Sequence, residues 1–207
     1  MPTPMKFIGA HPALDFVNTV GGWPAGTAVE DKLENLEDLI RWGKLAKLVE
    51  PADVTSSIRL ARRQPRPAAH VLARARSLRG VLYRLFNCYL ENRNPAPADL
   101  KAFQDQLRIA RRHQMLTGTW RGFLWTWDQR PALDSVLWRV SQSAADLLVS
   151  PDLARVRRCA GENCGWMFLD TTRNHSRQWC DMRDCGNLAK VRRFRKRQAG
   201  VHGQRVS

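Results

Sequence analysis

Four cysteines carry the clearest chemistry in this sequence. Cys159 and Cys164 are separated by four residues, Cys180 and Cys185 by four more, and fifteen residues lie between the pairs. Each pair can sit on one tight turn and offer two thiolates to a single ion. The fifteen-residue stretch is long enough for a hairpin that brings the pairs together. Zn²⁺ accepts four such ligands tetrahedrally at about 2.3 Å. Four thiolates leave no position for a metal-bound water, so the expectation is one structural Zn²⁺ and no metal-assisted hydrolysis. Two disulfides or four unrelated thiols are the alternatives. Equal paired spacings, with no signal peptide at the start of the sequence, argue against both. His175 lies between the pairs and could stand in for one cysteine, but four thiolates already complete the sphere. Cys88, the fifth cysteine, falls beside Tyr89 in a strongly apolar stretch and reads as a buried, inert thiol.

Cations follow the last cysteine. In Gly186-Asn187-Leu188-Ala189-Lys190-Val191-Arg192-Arg193-Phe194-Arg195-Lys196-Arg197, Asn187 can cap a helix. Leu188, Val191 and Phe194 form a narrow apolar strip, expected to pack on the zinc module or the preceding domain. Lys190, Arg192, Arg193, Arg195, Lys196 and Arg197 fill the other faces, and Arg173 and Arg177 on the zinc hairpin extend the surface. Such a helix suits a phosphate backbone, whose neutralisation gives affinity without choosing a sequence.

The elements that position this module are mainly helical. The 207 residues carry 34 Lys and Arg against 19 Asp and Glu, a net charge of +15. Residues 1–154 hold 21 basic and 15 acidic side chains; residues 155–207 hold 13 and 4, net +9 in a quarter of the length. A chain this basic draws polyanions, with nucleic acid ahead of an anionic membrane surface. The domain boundary is placed near Ser150-Pro151, giving a helical domain over 1–150 and the zinc module over 151–207. Apolar periodicity predicts helices over 30–49, 69–92, 98–112 and 132–149. Pro51 reads as a stop, and Arg62 to Pro67 as a loop. Trp120, Phe123, Trp125 and Trp127 near Gly118 and Gly122 predict one or two strands over 115–128. Within the zinc module, 165–169 reads as a strand, 170–174 as a turn and 176–179 as the returning strand. The fold class is thus mainly α (α+β): a helical N-terminal domain with a small β-hairpin, then a zinc ribbon and a basic helix.

The run from Cys159 through Gly165-Trp166-Met167-Phe168-Leu169-Asp170, Arg173-Asn174 and Trp179-Cys180 to Cys185-Gly186-Asn187 resembles the CGNR zinc-finger family. Leu14 to Thr19, Trp42, the stretch around Arg79 to Phe86, and Ser143 to Leu148 resemble the ABATE domain that accompanies it. The resemblance implies a stress-induced bacterial transcription regulator. Its zinc module, held by Cys159, Cys164, Cys180 and Cys185, would bind DNA, and its N-terminal domain would sense a ligand. One departure stands out: the family's signature tetrad ends in Arg, and this chain has Leu188.

Other readings remain open at this point. A basic zinc ribbon also suits RNA or a ribosomal partner. Asp15, Asn18 and Thr19, with Trp42 and Arg79, could line a pocket for a small-molecule effector, or could be helix caps and satisfied core hydrogen bonds. The sequence holds no HExxH, P-loop, GxSxG or GxGxxG-plus-helix motif, so no catalysis is expected. No run reaches the length of a membrane span. The expected location is the cytoplasm, and a homodimer would suit a palindromic DNA site.

Overall fold

A computed structural model of the chain describes residues 5–21 and 30–203, with side chains to 198. Seven α-helices and two small antiparallel hairpins make up the described residues. Helix α1 (Pro12–Val17) starts on His11, whose Nδ1 accepts the Ala13 N–H at 3.3 Å, with Pro12 in the first turn. Helix α2 (Leu36–Leu45) starts later than periodicity predicts. The cause is a capping box in which the Asn35 side chain accepts from Asp38 N and the Asp38 carboxylate accepts from Asn35 N.

Two prolines start helices where a stop and a loop are expected. Pro51 opens α3 (Pro51–Arg63), and Pro65 opens α4 (Pro65–Leu90). A first-turn proline loses no hydrogen bond, because its missing N–H would be an orphan there. Pro65 also drives the preceding residue out of the helical region. Gln64 alone therefore forms the break, at φ −127° and ψ 65°. Helix α5 (Pro97–Arg111) follows as predicted. Strands β1 (Gln114–Thr119) and β2 (Gly122–Trp127) form the first hairpin, and α6 (Ser135–Val149) closes the helical body.

A short 3₁₀ turn, Pro151–Arg155, leads into β3 (Val156–Arg158), which pairs antiparallel with β4 (Met167–Leu169). The register sets Val156 opposite Leu169 and Arg158 opposite Met167. This corrects the expected returning strand: 176–179 is not a strand. The Asp170 carboxylate gathers the N–H groups of Thr172 and Arg177 at 2.9 and 3.0 Å, and so folds that segment into a loop. Ala160 N to Gln178 O, at 2.9 Å, is a single rung joining that loop to the residues after β3.

One core spans the helices and the second hairpin. Phe16, Trp42, Phe86, Leu137 and Leu147 are buried with Val156, Met167 and Leu169. Full burial of each large side chain contributes about 1.5–3 kcal/mol. The strands of the zinc module are thereby part of the helical body's interior.

Candidate metal centre and nucleic-acid interface

Beyond β3 and β4, the four cysteines converge. Their Sγ atoms all lie within 4.8 Å of one another. Cys180 Sγ is 3.5 Å from both Cys164 Sγ and Cys185 Sγ. A tetrahedral ion with bonds of about 2.3 Å requires sulfur separations of about 3.8 Å, so the cluster fits one zinc with little rearrangement. Cys159 Sγ also accepts backbone N–H groups from Gly161 at 3.4 Å and Cys180 at 3.3 Å. Two glycines make the turn feasible. Gly165 takes φ +67°, and a Cβ on Gly161 would lie 3.2 Å from Cys185 Sγ. His175 is exposed and stands outside the cluster.

Electrostatics within the cluster favour a cation. Hydrogen bonds from the Cys164 and Cys180 thiols hold the Cys159 pKa down. The same contact pushes Cys164 up to about 12 and raises Cys180, while burial raises Cys185. Four thiolates this close repel one another without a counter-charge. A dication reverses that balance, so loading releases protons and weakens in acid. With four sulfur ligands the ion's part is structural.

The loop that carries Cys180 is held by Arg177. Its guanidinium donates to the carbonyls of Trp179 at 3.0 Å, Ile8 at 3.1 Å and Cys180, and lies 4.1 Å from the Phe168 ring centroid. Arg177, grouped from the sequence with the phosphate-facing cations, is thus committed to positioning a cysteine. Asp170-x-Thr172 is a local turn signature that could have pointed to this loop.

The cations of α7 (Asn187–Gly203) stand on a helix joined to the cluster by a single π-type turn, Met182–Gly186. The Asp181 side chain caps that turn by accepting from Arg183 N at 2.8 Å, so the cap falls six residues before the Asn187 expected from the sequence. Lys190, Arg193, Arg195, Lys196 and Arg197 are exposed, as is Arg173. Arg192 pairs with Glu162 at 2.8 Å, tying α7 back to the cysteine loop. By helical period, Lys190, Arg193 and Arg197 share one face. The apolar strip does not pack as expected: Leu188, Val191 and Phe194 are exposed. Leu188 instead edges a cleft of about 550 Å³ between α7 and the cysteine loop, with Trp166, Trp179, Arg192 and Lys196.

The five polar and aromatic residues read as a pocket are tied to internal partners. Asn18 donates Nδ2 to Met167 O at 2.7 Å and accepts Met167 N at 2.9 Å. Thr19 donates to Phe16 O and accepts from Arg79 at 3.0 Å, and Arg79 binds Asp31 through both terminal nitrogens at 2.8 and 2.6 Å. Trp42 is buried against Phe16. A cleft of about 620 Å³ on the helical body is lined by His11, Glu50, Asp53, Trp127, Arg139 and Asp146, and none of the five borders it.

Asp15 is buried too, and accepts Gly9 N at 2.7 Å. Burial outweighs that bond and pushes its pKa up from 3.8 to about 6. The folded state therefore holds this proton more tightly than the unfolded chain. The stability it lends is complete below 3.8 and is lost as the pH rises through about 6. Urea unfolding should show a loss on the order of 3 kcal/mol across that window from this residue. Asp15→Asn should flatten that part of the profile, and an unchanged profile in the variant would remove Asp15 as its source.

The body and cluster together define a helical protein with a C-terminal four-cysteine zinc finger. Residues 10–151 match the model of the ABATE family, described as "Putative stress-induced transcription regulator", and residues 155–198 match the CGNR zinc finger. The chain belongs to the ABATE family and carries the CGNR finger behind it. No curated protein matches the chain. Among the described residues, no helix is long and apolar enough to cross a membrane.

Proposed function

We propose that this protein is a zinc-dependent DNA-binding transcription regulator acting in the cytoplasm, and that α7 is its main phosphate contact. The observation that carries the reading is the exposed face of Lys190, Arg193 and Arg197 on a helix that continues from the cysteine cluster. A helix seated on a metal-pinned turn presents its charges in fixed orientation, which a solvated basic tail does not. The family description and the chain's net charge of +15 support the same reading.

Fluorescence anisotropy on duplex DNA across a salt series tests it. Affinity should fall with salt by a log–log slope of about 0.9 per phosphate contact. Replacing Lys190, Arg193 and Arg197 together with glutamine should flatten the slope by up to three contacts. At physiological salt that loss is about a hundredfold in affinity. Zinc content should not change. Salt-independent binding by the parent protein would refute the reading, and an unchanged slope in the variant would move the contact off this face. Stronger competition by structured RNA than by duplex DNA would reassign the surface to RNA.

A further inference from the structure

The β1–β2 hairpin presents apolar side chains to solvent. Trp120 is 87 % exposed, Phe123 79 % and Trp125 65 %, and Met115, Leu116 and Leu124 are exposed beside them. Single exposed apolar residues are ordinary, but a contiguous patch on one element marks an interface. We propose that this hairpin is the surface through which two copies of the chain associate.

Register divides the patch unequally between the two faces of the arm, with the aromatic rings of the strands on one of them. Leu116 faces Trp125 across the strands and Gly118 faces Phe123, so Leu116, Phe123 and Trp125 share a face. A Cβ on Gly118 would meet the Phe123 ring at 3.2 Å, so the ring lies against the bare glycine. The other face carries Met115 and Leu124 beside Thr117 and Thr126, whose hydroxyls bond each other at 2.7 Å, and it is the more polar of the two. The outer part of the aromatic face, Leu116, Phe123 and Trp125, is therefore left to solvent by the helical body. The arm is nevertheless fixed at its base. Asp128 N donates to His113 O at 2.8 Å, His113 stacks on Trp138 at 3.6 Å, and the Arg139 guanidinium lies over Trp127 at 5.4 Å. Among the described residues each strand pairs on one side only. A two-stranded sheet is marginal until a third strand or a cover joins it.

Charge selects the occupant. The chain carries +15, yet residues 114–127 contain one charged side chain, Arg121, and it stacks on Trp120 at 4.5 Å. Net charge makes two such chains repel, and this nearly uncharged arm adds little to that repulsion. A nucleic acid or an acidic partner would call for cations, which this hairpin lacks. An antiparallel edge is also its own complement under a two-fold axis, as a closed dimer requires. Area is of the right order: Trp120, Phe123 and Trp125 from two copies, at about 150–250 Å² for each ring, come to about 900–1,500 Å², around the roughly 1,000 Å² of a specific interface.

Sedimentation equilibrium without DNA tests the proposal, independently of the nucleic-acid reading. At micromolar concentration the parent protein should have twice the chain mass of 23.7 kDa. The double variant F123T/W125T, which keeps strand-favouring residues, should sediment at 23.7 kDa with its helical circular dichroism and zinc intact. Leu116→Lys gives an independent reading, because it sets like charges against each other across the two-fold axis and should also yield monomer. A parent protein that stays monomeric as concentration rises, or variants that stay dimeric, overturns the proposal. A monomeric parent whose hairpin variants lose DNA affinity overturns it in favour of a nucleic-acid contact.

Discussion

Cys180→Ser should empty the metal site and melt the module around it while the helical body stays folded. Cys180 sits at the middle of the cluster, 3.5 Å from two other sulfurs, and its own N–H donates to Cys159 Sγ. Serine cannot supply a thiolate, and three cysteines leave the sphere open. Structural zinc contributes on the order of 10–16 kcal/mol in comparable fingers, more than any other single element of this module. Apart from the ion, residues 170–186 and α7 are held mainly by polar contacts, those of Asp170 and Arg177 and the pairs Lys6–Asp184 and Arg192–Glu162, with little apolar burial. The small buried cluster there is Cys159, Phe168 and Cys180, and the apolar strip of α7 is exposed. The melt should stop at β4, because Met167 and Leu169 belong to the main core. Metal analysis should fall from one zinc per chain to none. Circular dichroism should lose about the helicity of α7, and proteolysis should cut beyond residue 170 but spare the helices before it. A variant with full zinc stoichiometry would disprove the ligand assignment.

Asn18→Ala should cost the whole protein about 2–5 kcal/mol, the penalty for two buried peptide groups left without partners. The Asn18 side chain acts as a piece of extra strand. Its amide takes both the N–H and the C=O of Met167, at 2.9 and 2.7 Å, from the end of α1. Both residues are buried, so water cannot replace the lost bonds. Urea unfolding with zinc in excess should show an earlier midpoint at an unchanged slope. A loss below about 0.5 kcal/mol would show that Met167 finds other partners.

The cysteine site was readable because its signal is spacing, and spacing is local. The long helix α4 was readable for the same reason, since Val71, Leu72, Ala75, Leu78 and Leu82 repeat its period and are all buried. Proline was ambiguous: Pro51 and Pro65 signal a break, but only tertiary packing decides whether a helix ends or begins there. Arg177 looked like its basic neighbours, although its partners are three carbonyls and a ring. Asn18 stood out as a polar residue among apolar ones. Its role depends on Met167, 149 residues away, which no local pattern reveals. Leu188, which departs from the family tetrad, borders the cleft beside α7, and Arg192 and Lys196 line the same cleft.

The joins between the two ends of the described chain bear on how it is made. Gly9 O accepts from Leu169 N, Val20 O from the Trp166 indole, and Lys6 pairs with Asp184. During translation the early residues leave the ribosome long before those partners exist. Local helices can form as they emerge, but the interior cannot close until the stretch beyond residue 155 has been made. The nascent body therefore waits with apolar surface uncovered, and metal uptake follows the synthesis of all its helices.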